Sequence, residues 1–451
     1  MILLALLGCE PEPAPCEVLF LDTQGTDLQL ESTCGSWLAQ ASVLGEGELQ
    51  VELVQEGYEL TPVVTGTGTF EGLLVQGPLL LDGHEPAVLW KQGYQSWWWS
   101  GVTELVSVEY EDELPRVGGD GDGLSAIDET PWSSWWVGLL GRPDGGSLLV
   151  GALSSTTTKW TVSFEEGYAW AVWGKRGESI PVDGELVLDA FTARMGEDPW
   201  ALHEDYAQTV AEHQGIPERS DAPPTGWATW TIVYEDLDEE FVRDSLEQMP
   251  SELGLVQLDD GWQQAWGDWS PNERFPGWDT MASDIAAAGH RPGLWMAPFY
   301  VERELGLYDE HPDWFVHDEA GEPLSYANFG DHDYLVLDVT HPDAATHFQQ
   351  NLRDRVDEGW TYFKLDFLYA GMQEGIRHEQ MTGAQAYALA MELVREALGE
   401  EAFFLACGAP MLPSLGYADG FRTGADIAFG FAPDGDPAYL RWQGRATAAR
   451  A

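Results

Sequence analysis

The chain is poor in basic residues. Its 451 residues contain 21 Lys and Arg against 77 Asp and Glu, which gives a formal net charge of −56. A molecule with this charge repels phosphate groups, so the composition argues against nucleic acid and against an anionic membrane surface as partners. Neutral ligands are unaffected. The charge indicates a strongly solvated surface and says nothing about the fold.

Metal-binding motifs are also missing from the sequence. No CxxC or HExxH pattern is present, so the sequence predicts no metal, and nothing in it calls for another cofactor. The most apolar segment at the start, residues 1–8, is far too short to span a bilayer.

Cysteines are few, and three of the four lie near the start: Cys9, Cys16 and Cys34 precede Cys407. The first residues read MILLALLGC, which resembles the end of a secretory signal followed by a bacterial lipobox at Cys9, although the basic segment of a signal is missing. Either the true start lies upstream or the match is accidental. On the first reading, residues 1–16 are signal and tether. The protein is then a lipoprotein of the cell envelope, periplasmic or anchored in the outer membrane, and it contacts the membrane only through lipidated Cys9. Cys16 and Cys34 are then free to form a disulfide.

The sequence predicts a multi-domain protein with a β part before an α/β part. Residues 17–195 show short alternating runs separated by Gly-rich turns, which predict an antiparallel β-sandwich. Residues 196–225 contain a helix at 199–213 and a proline-containing linker. From residue 226 to 451, short apolar strands alternate with amphipathic helices, the pattern of a (β/α)8 TIM-type barrel.

Only six barrel strands can be read from the sequence, where a closed barrel needs about eight. The candidate strands are residues 227–234, 254–258, 291–297, 362–367, 403–407 and 420–423, with helices that include 344–358, 383–398 and 437–451. We therefore expect a fragment whose barrel is truncated after about six βα units.

Lys364 and Asp366 lie two residues apart on one candidate strand, so their side chains point to the same side. The lysine favours the ionised carboxylate, and an ionised carboxylate that faces a cleft is suited to act as a nucleophile. A buried structural ion pair is the alternative.

Asp426 follows the last candidate strand, in a loop that also contains Gly424. A carboxyl group in a partly apolar pocket can donate a proton, and Arg422 could orient it or bind a hydroxyl group of a ligand. The alternative for Asp426 is a helix N-cap.

Asp259 and Asp260 are followed by Gly261 and Trp262. Two carboxylates can accept hydrogen bonds from neighbouring hydroxyl groups, and an indole can cover an apolar sugar face. An Asp-Gly turn is the alternative.

Three further features have a structural and a functional interpretation. Cys407 and Gly408 end one strand, where a sugar contact or a buried small residue is expected. Trp295 suits either a core position or a sugar platform. The aromatic run at residues 94–99 belongs either to the core or to a loop over the barrel mouth.

These motifs, in this order, resemble the α-galactosidases, or melibiases, of glycoside hydrolase family 36, and most closely a bacterial subgroup. The resemblance covers residues 226–426 and includes GWATW, LDDGW, RPGLWMAPF, YFKLDFLYAG, ACGAP and GFRTGAD. It implies a retaining enzyme without a metal, with Asp366 as nucleophile and Asp426 as acid/base. Further sugar contacts would come from Asp259, Asp260, Trp295, Lys364, Cys407 and Gly408. An arginine that the family carries before the VLD strand is missing, and Asn328 is the candidate substitute.

The expected substrate is a neutral α-galactoside of an oligosaccharide or glycoconjugate. Two alternatives stay open: an α-N-acetylgalactosaminidase or galactosyl-transferring relative, and a non-catalytic sugar-binding lipoprotein of the envelope. The oligomeric state is also open.

Overall fold

The computed structural model of the protein describes residues 16–94, 100–105, 132–143, 145–174, 177–216, 223–326 and 332–424. Within these residues, an antiparallel β-rich region at the N-terminus precedes a curled parallel half-barrel of six strands. The predicted fold class is confirmed. The domain boundaries at residues 16, 195 and 225 stay predictions.

The N-terminal sheet contains 13 described strands. They are β1 (Val18–Gln24), β2 (Asp27–Ser32), β3 (Gly35–Glu56), β4 (Glu59–Leu81), β5 (Val88–Lys91), β6 (Gly101–Glu104), β7 (Ser133–Trp135), β8 (Val137–Gly141), β9 (Ser147–Ala152), β10 (Trp160–Glu165), β11 (Tyr168–Gly174), β12 (Ile180–Val187) and β13 (Phe191–Gly196).

The long strand β4 connects the branches of this sheet. One edge of β4 pairs with β3, and the other edge pairs with β11, then β12, and finally with β13 at Leu60. The branches also pack against each other through their side chains. Trp173 of β11 lies edge-on against Phe191 of β13, with ring centroids 5.0 Å apart. In β2, inward residues alternate with exposed ones, so this strand buries one face, whereas every residue of β8 and β9 is buried. The Cys16–Cys34 disulfide expected from the sequence is present at the start of the sheet.

Helix α1 (Pro199–Gln214) joins the two parts of the chain. Asp198 caps its first turn through the amides of Trp200 and Ala201, and Gly215 ends it in the left-handed conformation. The hydroxyl of Tyr206 donates to the Ala152 carbonyl at 2.7 Å, which fixes the helix on β9.

The half-barrel pairs its strands in chain order. These strands are β14 (Gly226–Ala228), β15 (Leu255–Leu258), β18 (Arg291–Met296), β22 (Tyr362–Leu365), β23 (Phe403–Ala406) and β24 (Gly420–Phe421). The helices in this part are α2 (Trp230–Val233), α3 (Glu239–Gln248), α4 (Trp278–Ala287), α5 (Leu307–Glu310), α6 (Pro342–Asp357), α7 (Gly383–Leu398) and α8 (Met411–Ser414). Short strands complete the connections: β16 (Gln263–Ala265), β17 (Asp268–Pro271), β19 (Tyr300–Glu302), β20 (Ser325–Tyr326) and β21 (Tyr334–Val336).

The first barrel strand is shorter than the sequence predicted. Residues 227–234 were expected to form one strand, but β14 ends at Ala228 and α2 begins at Trp230. No residue of α2 is fully buried, and of its β-branched residues Ile232 is exposed while Val233 is half-buried against the core. The predicted helix at residues 437–451 lies outside the described residues. None of the described helices is both long and apolar enough to cross a membrane.

A buried lysine connects the two parts of the protein. Lys159, which precedes β10, is 0% exposed, and its ammonium contacts the carboxylate of Glu374 in the loop after β22. It also lies 4.0 Å from the carboxylate of Glu178. Glu374 accepts in addition from the backbone N–H of Gly383 at 3.0 Å, where α7 begins. The N-terminal sheet therefore anchors the loop between β22 and α7.

We expect Lys159→Met to destabilise the protein by about 3–5 kcal/mol, because removing one partner of a buried ion pair leaves uncompensated charge. Urea denaturation of the full chain measures this change. Arg303→Met is the control, since Arg303 and Asp333 form an exposed pair, for which about 0–1 kcal/mol is expected. Equal midpoints for the two variants would show that Lys159 does not stabilise the junction.

Candidate active site

Four of the predicted side chains meet at the C-terminal ends of neighbouring parallel strands. Asp259 follows β15, Trp295 lies near the end of β18, Lys364 lies in β22 and Asp366 follows β22. Each of these residues is at most 7% exposed. Enzymes built on this fold place their active sites at this edge.

Lys364 lies between two carboxylates from different strands. Its ammonium donates to Oδ2 of Asp259 at 2.9 Å and lies 3.7 Å from Oδ2 of Asp366. Burial by itself would lower the pKa of Lys364, but the charges of Asp259 and Asp366 outweigh it and hold the pKa above its ordinary value. The ammonium therefore stays charged and links the two carboxylates.

Both oxygens of Asp366 accept hydrogen bonds. The indole N–H of Trp295 donates to Oδ2 at 3.0 Å, and the backbone N–H of Phe367 donates to Oδ1 at 2.8 Å. Phe367 has a φ of 53°, a left-handed conformation that a bulky residue rarely adopts. Such strain is typical of functional sites. These contacts fix the orientation of a carboxylate that could act as a nucleophile.

Asp259 has a similarly complete set of contacts. Its Oδ2 accepts from the side-chain amide of Gln257 at 2.6 Å as well as from Lys364. Its own backbone N–H donates to the hydroxyl of Thr229 at 2.9 Å, at the end of β14. Asp259 is thus joined by polar contacts to the end of β14 and, across β18, to β22.

Asp260 lies in a different environment from Asp259. Gln263 donates to its Oδ1 at 2.6 Å, and the indole N–H of Trp266 lies 3.2 Å from its Oδ2. Burial raises the pKa of Asp260 to about 7, and the negative charges of Glu235 and Asp259 add to this increase, while the hydrogen bond from Gln263 opposes it. Asp260 therefore changes charge near neutral pH.

Trp262 does not lie where a sugar platform was predicted. Its ring is 0% exposed and stacks on Trp278, with centroids 4.7 Å apart and an interplanar angle of 8°. Its indole N–H donates to the Trp295 carbonyl at 3.0 Å. Because one face of the ring is taken by Trp278, we assign Trp262 to the support of Trp295 instead of to a ligand.

Cys407, Gly408 and Arg422 lie on the next strands along the sheet. Cys407 is buried and is not part of a disulfide, and its sulfur lies 3.7 Å from the guanidinium of Arg422. The carbonyl of Gly408 accepts from the backbone N–H of Tyr369 at 2.8 Å, in the loop after Asp366. These residues adjoin the site and help to shape the loop that follows Asp366.

Three predicted residues lie outside the described part of the chain: Asp426, Asn328 and Cys9. Their roles as acid/base, sugar contact and lipidation site stay predictions. Of the aromatic run at residues 94–99, only Tyr94 is described, and it packs on Trp135 with ring centroids 4.6 Å apart, in the core.

Sequence reasoning missed several supporting residues. Gln257 could have been found, because it lies two residues before Asp259 and shares its side of the strand. Trp266 could not have been found, because its position over the site depends on the hairpin of β16 and β17. There its ring stacks on Tyr334 with centroids 4.2 Å apart. The left-handed turn at Phe367 also has no local sequence signal.

The fold and these contacts place a buried cluster of one ammonium and two carboxylates at the edge where β/α-barrel enzymes have their active sites. Residues 201–403 match the family model Melibiase. This segment of the chain is thus similar to the melibiases, the α-galactosidases of glycoside hydrolase family 36.

Among solved structures, the α-galactosidase TtGalA from Thermus thermophilus, in complex with stachyose, is similar with a TM-score of 0.67 and 28% identity, over 90% of this chain and 79% of that one. Two curated relatives match shorter segments. α-Galactosidase C of Emericella nidulans is 29% identical over 190 residues, which are 36% of this chain and 24% of that protein. α-Galactosidase AgaA of Geobacillus stearothermophilus is 32% identical over 149 residues, or 30% and 20% of the two chains. The matched segments therefore span about a quarter or less of these curated relatives.

The raised pKa of Asp260 makes stability depend on pH. Its pKa of about 7 in the folded protein lies above that of an ordinary aspartate, so the protonated form is favoured by folding. The associated stability is complete below about pH 4 and is lost as pH rises through 7. We expect Asp260→Asn to melt at a higher temperature than the wild type at pH 8, with a smaller difference at pH 5. Thermal melts at both values measure this, and a gap independent of pH would contradict it.

Proposed function

We propose that this chain forms the catalytic part of an α-galactosidase that removes terminal non-reducing α-D-galactosyl residues from neutral oligosaccharides or glycoconjugates. The observation that carries the proposal is the arrangement of Asp366, which is held by Lys364 and Trp295 at the end of β22. The same ammonium holds Asp259 on the neighbouring side. The melibiase match and the likeness to TtGalA support the same activity.

The reaction proposed is a retaining double displacement. An oxygen of Asp366 attacks the anomeric carbon of the galactosyl unit, while the carboxylic acid of Asp426 gives its proton to the departing glycosidic oxygen. The resulting galactosyl ester on Asp366 is then attacked by water. Asp426, now ionised, takes a proton from that water, so that galactose leaves with retained configuration and both carboxyl groups return to their starting states.

The carboxylates of Asp259 and Asp260 are proposed to accept hydrogen bonds from hydroxyl groups of galactose. Trp295 offers the edge of an indole beside Asp366, and Arg422, Cys407 and Gly408 complete the opposite side. Asn328 is a further proposed contact. A site that hydrogen-bonds one hydroxyl group strongly rejects a sugar without that group, because the polar side chain is then left unpaired.

We also propose that the protein is exported to the cell envelope and anchored through lipidated Cys9. The Cys16–Cys34 disulfide supports an oxidising compartment, and the lipobox-like sequence before Cys9 supports the anchor. Mass spectrometry of Cys9 in protein recovered from membranes tests the anchor, because an unmodified thiol at that position would exclude it.

We expect Asp366→Asn to lower kcat on an aryl α-galactoside by more than about a thousandfold, because the amide cannot form the ester intermediate. Binding of galactose should change little, which calorimetry can measure. The aryl α-glucoside is the control substrate, and the aryl N-acetyl-α-galactosaminide tests the nearest alternative activity.

Two results would contradict this assignment. Turnover by Asp366→Asn at the wild-type rate would remove Asp366 from the role of nucleophile. Faster cleavage of the glucoside or the N-acetylgalactosaminide than of the galactoside by the wild type would replace the substrate proposed here.

A further inference from the structure

A groove of about 480 Å³ crosses the outer face of the N-terminal sheet. It runs over β2, β3 and β4 to the start of β11, and we call it the sheet-face groove. Its main side chains are Gln29, Leu38, Gln40, Gln76, Pro78 and Tyr168. The volume falls within the range of about 300–1,000 Å³ that is typical of small-molecule sites.

The side chains of the sheet-face groove are not part of the core. Along β3, the exposed Leu38 lies between Trp37 and Ala39, which are 0% and 6% exposed. Along β4, Gln76 lies next to the buried Val75. Successive side chains of a strand point to opposite faces, so the groove is built from the outward set. Tyr168, at the start of β11, is 45% exposed.

Polar side chains form a row across four strands beside Tyr168. The register pairs Asp27 with Gln40, Gln40 with Gln76, and Gln76 with Trp170. An exposed aromatic ring next to a row of side-chain amides matches a sugar, which has apolar faces and a hydroxyl-bearing edge.

Two polar atoms of this row have no hydrogen-bond partner within the described structure, although both are shielded from solvent: Oε1 of Gln76 and Nε1 of Trp170. Buried polar atoms are nearly always hydrogen-bonded. A hydroxyl group can both donate to an amide oxygen and accept from an indole N–H, which makes a polyol a suitable ligand.

Charge narrows the class of ligand. Among the described residues that line the groove, none is Lys or Arg, and the one carboxylate, Asp27, accepts from the amide of Gln40 at 3.0 Å. An anionic ligand would have no counter-charge here. Two copies of a chain with a net charge of −56 repel each other, which disfavours self-association through this face. A neutral saccharide meets neither obstacle.

The groove is separated from the carboxylates of the barrel. The β10–β11 hairpin contacts the barrel loop through Lys159 at its open end, where Trp160 pairs with Trp173. Tyr168 lies at the opposite end, where it pairs with Glu165. The two ends of the hairpin are separated by five residue steps of about 3.3 Å each, so they lie roughly 17 Å apart.

We propose that the sheet-face groove is a non-catalytic binding site for a neutral, galactosyl-bearing polysaccharide, with the ring of Tyr168 stacked on a sugar and Gln76 bonded to its hydroxyl groups. The choice of polymer rests on the proposed function, whereas the groove itself does not. Such a site keeps the protein on a polymer while the barrel acts on its terminal residues.

Affinity electrophoresis in native gels that contain galactomannan tests this proposal with the full chain. Asp366→Asn serves as the background, so that the polymer stays intact during the run. We expect Tyr168→Ala in this background to weaken the apparent affinity roughly tenfold, through the loss of stacking. Tyr168→Phe keeps the ring and should bind like the background. Leu80→Ala is the matched control, because Leu80 is 44% exposed on β4 but does not line the groove.

The proposal would be overturned if galactomannan retarded Tyr168→Ala as strongly as the background. It would also be overturned if Leu80→Ala lost as much affinity for galactomannan as Tyr168→Ala. The same holds for a background chain that galactomannan does not retard, or for a dimer in sedimentation runs that Tyr168→Ala dissociates. Cleavage of the aryl α-galactoside by the Tyr168→Ala chain with Asp366 intact is measured separately. Retardation that depends on Tyr168 in a chain without that cleavage would support the groove and remove the α-galactosidase proposal.

Discussion

The contact between the Lys364 ammonium and two carboxylates is the interaction on which the site depends. It connects β15 with β22, because Asp259 follows one strand while Lys364 and Asp366 belong to the other. Burying such charges costs several kcal/mol per ion, so the arrangement adds little net stability. Its main effect is to orient the two carboxylates. One fixed cation between two carboxylates keeps both pointed toward the same end of the half-barrel.

The structure around this contact holds it from several sides. Trp295 reaches Asp366 from β18 and is itself positioned by Trp262, whose ring is stacked in the layer behind. On the other side, the turn at Phe367 directs its N–H back to Asp366. The loop that continues from this turn is fastened to the N-terminal sheet through Lys159. The β-rich part thus contributes to the barrel site without supplying any of its described carboxylates.

The neighbouring carboxylates Asp259 and Asp260 differ because their surroundings differ. Asp259 shares the positive charge of Lys364, whereas Asp260 is buried among neutral donors and near Glu235. This arrangement gives the site one group, Asp260, whose charge changes near neutral pH.

Much of the site could be predicted from sequence because it depends on local rules. The two-residue period of a strand places Lys364 and Asp366 on one side, and parallel strands bring their ends to one edge. Features set by tertiary packing could not be predicted. The strand expected at residues 227–234 ends at Ala228 and is followed by α2, and one face of the Trp262 ring is covered by Trp278. The return of Trp266 over the site depends on a hairpin, and the left-handed turn at Phe367 on its surroundings.

Trapping of the covalent intermediate tests most directly whether Asp366 is the nucleophile. A 5-fluoro-α-galactosyl fluoride slows both oxocarbenium-like steps, while its fluoride leaving group keeps the first step the faster one, so the ester accumulates and peptide mass spectrometry can locate it. The predicted result is one added fluorogalactosyl group on Asp366. The same group on Asp259 or Asp260 would contradict the arrangement described here. So would a protein that hydrolyses the unfluorinated galactoside but never carries a fluorogalactosyl group.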